Sequence, residues 1–121
     1  MQVERVSICS PFSGDTERNS EQARKYSRFA YEQNTIPVTP HLLYPQFMND
    51  ENQKERADAM HFNYVLLGKC NEMWVFGDVI SKGMAHEIGI AKKRQQTVSV
   101  NIHSWKAVEN WHWIIPVLKS M

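Results

Sequence analysis

Four short β-rich runs, separated by stretches long enough for helices, constrain this chain more than any other feature of its sequence. Val3 to Cys9, Ile36 to Val38, Glu72 to Phe76 and Thr97 to Ile102 read as strands, rich in β-branched and aromatic residues and bounded by turn chemistry. From about Glu17 to Gln33 the pattern changes period. Ala23, Tyr26 and Ala30, with Phe29 one step aside, recur at the spacing of an amphipathic helix that Asn34-Thr35 ends. A second helix, capped by Asn49 or Asp50, is predicted to run to about Gly68, with Ala59, Met60, Phe62, Asn63, Leu66 and Leu67 inward. A third spans Ser81 to about Arg94, and a last is expected over Ala107 to Lys119, with Pro116 as its weak point. Consecutive strands joined by helical crossovers pair in parallel and bury both faces. The prediction is an α/β fold, a Rossmann-like three-layer sandwich with a four- or five-stranded parallel sheet and helices on both faces.

The 121 residues make one domain, 1–121, large enough for a single core. A formal net charge of +1, without a basic run, argues against binding a nucleic-acid polymer. Cys9 and Cys70 both lie in apolar runs without metal-ligand spacing, so they read as buried free thiols in a reducing compartment. The five histidines share no ligand spacing with carboxylates or cysteines, and no metal or cofactor is expected. No apolar segment approaches the roughly 20 residues that span a bilayer. Together with an N-terminus lacking a signal-peptide core, this gives the expectation of a cytoplasmic protein without a membrane partner.

In such a fold, ligands bind at the carboxyl edge of the sheet, where the loops after the strands converge. After the first strand comes Ser10-Pro11-Phe12-Ser13-Gly14-Asp15, which matches neither the GxxxxGK[ST] nor the GxGxxG phosphate loop. After the second comes the long Thr39 to Asp50 stretch, carrying His41 and Tyr44; a loop of that length is usually functional. After the third, Gly77-Asp78-Val79-Ile80-Ser81-Lys82-Gly83 leads into a helix whose second turn holds Glu87. Ser81 and Gly83 fit a plain helix cap or an anion cradle equally well. Glu87 falls on the side of Met84 and Ala91, which aims a carboxylate at the packed face or leaves it on the stripe's edge. His86 points elsewhere, toward solvent.

Taken together, Ile8 to Asp15, Trp74 to Gly77 and Ser81-x-Gly83-x-x-x-Glu87-x-x-x-Ala91 resemble the nucleoside 2-deoxyribosyltransferase superfamily, which includes nucleotide N-glycosidases. The resemblance extends over roughly residues 3 to 102. It implies cleavage or transfer at the N-glycosidic bond of a nucleotide or deoxynucleotide, with Glu87 as nucleophile. It implies a phosphate site built from Ser13, Gly14, Ser81 and Gly83, with Ser10, Pro11, Phe12, His41, Tyr44 and Gly77 completing the pocket. It also implies a homo-oligomer, since relatives complete their sites from a neighbouring subunit. The superfamily's aspartate has no clean counterpart: Asn63 and Asn71 stand near its place, and Asp50 and Asp78 are the candidate substitutes. Without such an acid, the alternative is a nucleotide-binding protein without chemistry, a sensor or sponge.

Overall fold

The structure is a computed structural model and describes residues 3–77 and 79–102. Its four strands are β1 (Arg5–Cys9), β2 (Ile36–Val38), β3 (Glu72–Phe76) and β4 (Thr97–Ile102). They form one parallel sheet in the order β2-β1-β3-β4. The four helices are α1 (Thr16–Glu32), the short α2 (Pro40–Leu43), α3 (Gln53–Gly68) and α4 (Lys82–Lys93). The predicted α/β architecture is therefore present, with four strands among the described residues. The helix expected over Ala107 to Lys119 lies outside them.

Strand alternation sorts the core into two layers. Val6, Ile8, Trp74 and Phe76 point to one face, where Tyr26, Phe29 and Ala30 of α1 cover them. Tyr26 stacks on Phe76 with ring centroids 4.4 Å apart, so the stripe read from the sequence is the one buried. Cys9, Met73 and Val75 point the other way and meet Leu67 of α3 with Met84, Ile88 and Ala91 of α4. Trp74 is 2% exposed and belongs to the core.

The strand order places a topological switch between β1 and β3, since the chain leaves β1 toward β2 and later returns to add β3 on its other side. The connections that follow β1 and β3 lead to helices on opposite faces of the sheet, leaving a crevice at the carboxyl edge.

Two expectations need correction in the region around α3. Its N-cap is Asn52, whose side chain accepts from the Glu55 N–H at 3.1 Å. Asn49 instead accepts from Glu51 N–H in a local turn, and its own N–H donates to the Glu55 carboxylate, so the cap falls later than predicted. Of the predicted inward stripe only Leu67 is buried; Met60 is 62% and Phe62 40% exposed. The helix stands over a cavity instead of lying on the sheet. The stretch after β2 is also less irregular than predicted, folding as α2 and a 3-10 turn at Tyr44–Gln46.

Candidate functional site

A cavity of about 490 Å³ opens at the switch point, bounded by the loop after β1, the α2 segment, α3 and the start of α4. Small-ligand pockets run from about 300 to 1,000 Å³, so the space suits a molecule of nucleotide size. Local hydrogen bonds fix its walls. Asn19 on α1 donates its side-chain amide to the carbonyls of Phe12 (3.1 Å) and Ser13 (3.0 Å), which holds the first loop in place. Gly77 takes φ of 116°, and a Cβ there would meet Pro11 Cδ at 3.2 Å. A backbone in that region favours glycine, and the close approach joins the loops after β1 and β3.

At the start of α4 the Ser81 Oγ accepts from Met84 N–H at 3.2 Å. Ser81 is thus a true N-cap. Its hydroxyl still has a proton to donate, and the positive end of the helix dipole faces the same opening. Ser10, 3% exposed, also lines the cavity, and its buried Oγ has no hydrogen-bond partner among the described residues. A buried hydroxyl without a partner costs free energy, which a ligand with acceptor oxygens would recover.

Glu87 lies deeper along α4, its side chain 14% exposed. Its Oε1 accepts from Asn63 Nδ2 of α3 at 3.2 Å. Burial pushes the carboxyl pKa above its ordinary value; the Asn63 amide, the Cys9 thiol and the charge of His86 oppose that shift. Cys9 is fully buried, with its Sγ 4.0 Å from the Met84 carbonyl. Burial first, then the neighbouring Glu87 charge, drive the thiol's pKa upward, so it stays protonated and acts as a donor.

His41 completes the centre. Its Nε2 is 3.7 Å from Glu87 Oε1, too long for a hydrogen bond. Its ring stacks on Phe12, centroids 4.6 Å apart and planes 14° from parallel. Burial lowers the imidazole pKa, and the Asp50 carboxylate partly offsets this. At pH 7 the imidazole is therefore neutral, and its contact with Glu87 is not an ion pair.

Residues 4–101 match the family described as a domain of unknown function (DUF7768). The chain belongs to that family. No curated protein is similar enough in sequence to match it. Among solved structures, it is similar to a 2-deoxyribosyltransferase from the psychrotolerant bacterium Bacillus psychrosaccharolyticus, with a TM-score of 0.67 and 13% sequence identity. The similarity covers 85% of this chain and 79% of that one, and at such identity it concerns the fold.

In this DUF7768 domain the cavity gathers most of the residues singled out from the sequence. Ser10, Phe12, Ser13, His41, Tyr44 and Asp50 line it, as do Ser81, Gly83 and Glu87. Pro11, Gly14 and Gly77 are not part of its lining; Pro11 and Gly77 pack on each other instead. Asp78 lies outside the described residues. Asn71 sits at the opposite edge of the sheet, where its Oδ1 accepts from Arg5 N–H at 2.8 Å. His86 is exposed as predicted, on the cavity rim.

Two features escaped the sequence reading. One is the contact of Cys9 with Glu87, which joins strand to helix and has no local signal. The other is the wall that α3 contributes through Arg56, Met60, Asn63 and Tyr64. Their spacing marks a single helix face, but sequence alone does not say whether that face meets core or ligand. Among the described residues no group of three or more His, Cys, Asp or Glu side chains is arranged to hold a metal ion. No described helix is long and apolar enough to cross a membrane.

Proposed function

We infer that the cavity takes a phosphorylated nucleoside and that Glu87 acts at its anomeric carbon, cleaving or exchanging the N-glycosidic bond. The observation that carries this reading is the Glu87 carboxylate itself, partly buried, bonded to Asn63 and lining a nucleotide-sized cavity at the switch point. A carboxylate kept in such a place at a cost in solvation is typical of a functional group. The likeness of the fold to a 2-deoxyribosyltransferase supports the same chemistry.

The anion end of the substrate is assigned to the start of α4. There the Ser81 hydroxyl and the first backbone N–H groups face the opening, with Ser10 Oγ and the exposed Lys82 lining the same cavity. The sugar then lies near Glu87. In the first step an Oε–C1′ bond forms while the C1′–N bond breaks, and the electron pair leaves with the base, in the manner of a retaining glycosidase. Asn63 orients the carboxylate and stabilises its ionised form.

The test is Glu87→Gln assayed for free base release over nucleoside monophosphates, with binding followed by calorimetry. Release is expected to disappear while binding persists. Unchanged release from every nucleotide in the panel would sink the assignment.

Two observations favour the non-catalytic reading: the side chains bonded to Glu87 are the Asn63 amide and the Cys9 thiol, neither of them a carboxylic acid, and Asp50 lies exposed at the cavity rim. A sensor or sponge would hold nucleotide for hours and return it intact on chromatography. The homo-oligomer is likewise proposed, on the exposure of Phe47 (67%) at the end of the 3-10 turn and of Phe62 (40%) and Val65 (44%) on α3. Light scattering of the purified chain tests it.

A further inference from the structure

We propose that His41 is the proton-transfer residue of this site, the base that activates water at the anomeric carbon. The inference rests on the N-glycosidic reading and adds to it the group that the carboxylate chemistry leaves unfilled. With Glu87 committed to the sugar, hydrolysis of the glycosyl-enzyme needs a second group to take a proton from water. No aspartate adjoins Glu87 among the described hydrogen bonds and ion pairs; the imidazole does, with Nε2 3.7 Å from Oε1.

Three features of the geometry suit that role. The Phe12 ring lies flat on the imidazole and fixes its plane, leaving the ring edge and its nitrogens free to work. The distance to Oε1 is too long to tie up Nε2 in a bond with Glu87, yet short enough to place both groups at the same carbon. His41 is the second residue of α2, next to the buried Pro40 that opens the helix, so its backbone is anchored in the wall of the cavity.

The electrostatic setting agrees. On α4 the ionisable groups lining the cavity are Lys82, His86 and Glu87, and on α3 they are Glu55, Arg56 and Tyr64. Tyr44 and Asp50 lie on the segment that carries His41 itself, and Arg24 of α1 shares a smaller pocket with His41. Within this set burial dominates, and it keeps the imidazole neutral and ready to accept a proton near pH 7.

When the base departs, it keeps the C1′–N electron pair and takes a proton from solvent. Water then forms a bond to C1′, the C1′–Oε bond breaks, and its electron pair returns to Glu87. The water proton passes to His41 Nε2 and from there to solvent.

The experiment compares wild type, His41→Asn and His41→Ala on a nucleoside monophosphate that the wild type hydrolyses. It uses rapid-quench base release, intact-protein mass spectrometry and circular dichroism as a check of fold. Both variants are expected to release about one equivalent of base in a burst and then turn over at least ~100-fold more slowly than wild type. Their mass is expected to rise by one sugar phosphate. Azide, which attacks without needing a base, is expected to restore turnover as the glycosyl azide. The steady-state pH profile of the wild type is expected to fall on the acid side below the ordinary histidine value of about 6.5, and this limb is expected to vanish in His41→Asn.

Steady-state rates within a few-fold of wild type in a folded variant would overturn the proposal. So would loss of the burst together with turnover, since His41 would then serve to place Glu87. A wild type that releases no base from any nucleotide overturns the N-glycosidic reading first, and the role of His41 with it.

Discussion

Glu87 is held at a cost, and the cost has a sign that can be measured. Because burial raises its folded-state pKa above the unfolded value, the stability it contributes is present at low pH and is lost as pH rises through the raised pKa. At neutral pH the ionised carboxylate therefore weighs against the fold. Glu87→Gln keeps the shape and the Asn63 contact but removes the charge. The variant is expected to melt above wild type at pH 8, with the gap narrowing toward pH 4, while base release falls on the order of 10³-fold or more. Melting curves across that range check the first claim. A gap that widens toward acid pH would mean the carboxylate is not disfavoured by burial. His41 contributes with the opposite dependence. Its lowered pKa gives stability that is present above the unfolded value and is lost as pH falls through the folded one. His41→Asn should thus flatten part of the acid loss of stability.

At the level of elements, the start of α4 carries the Ser81 cap and, on the proposed reading, the anion site, and two substitutions separate them. Ser81→Ala removes the cap to Met84 and is expected to destabilise the fold by about 1 kcal/mol in urea titration. A Cβ added at Gly83 would meet nothing within 4 Å, so Gly83→Ala should leave the free protein's stability intact. A methyl group placed where an anion approaches the backbone should nonetheless weaken nucleotide monophosphate binding by about tenfold, the range of one lost or distorted hydrogen bond to a charged group. If Gly83→Ala binds as wild type does, the phosphate lies elsewhere in the cavity. The sequence made this helix legible: Ser81 before it, Met84, Ile88 and Ala91 along its buried side, and lysines in its last turn. It did not make α3 legible. That helix carries apolar residues on several sides, so its pattern does not say which face meets the core. Only the structure shows that its Met60–Asn63–Tyr64 face lines a cavity.

For the whole molecule, the strand order does what no single motif does. It brings the loop after β1 and the helix start after β3 to one crevice, although they are more than sixty residues apart in sequence. That convergence followed from the β-α alternation, whereas the junction of Cys9, Asn63, His41 and Glu87 depends on side-chain packing between distant segments and had no local signature. The same architecture leaves α3 weakly anchored. Its described long-range ties are Leu67 in the core, Asn63 on Glu87, Tyr44 against Phe62, and Arg94, which donates to the Tyr64 carbonyl at 2.9 Å and lies over its ring. Gln96 adds a bond to the Leu67 carbonyl at 2.7 Å, again at the helix's C-terminal end. The Asn52 cap and the Asn49 N–H on the Glu55 carboxylate hold its first turn locally. Beyond that first turn, the N-terminal half of α3 thus has few described ties to the sheet. Elements with few buried contacts open locally at low free energy. In hydrogen exchange, amides of 56–62 are expected to exchange faster than those of β1 and β3 in the free protein. A bound nucleotide monophosphate should slow them more than it slows the strands, because the ligand supplies the packing that the sheet does not. Equal protection of α3 and the strands before ligand is added would show that the helix is already held, and that the cavity wall is rigid.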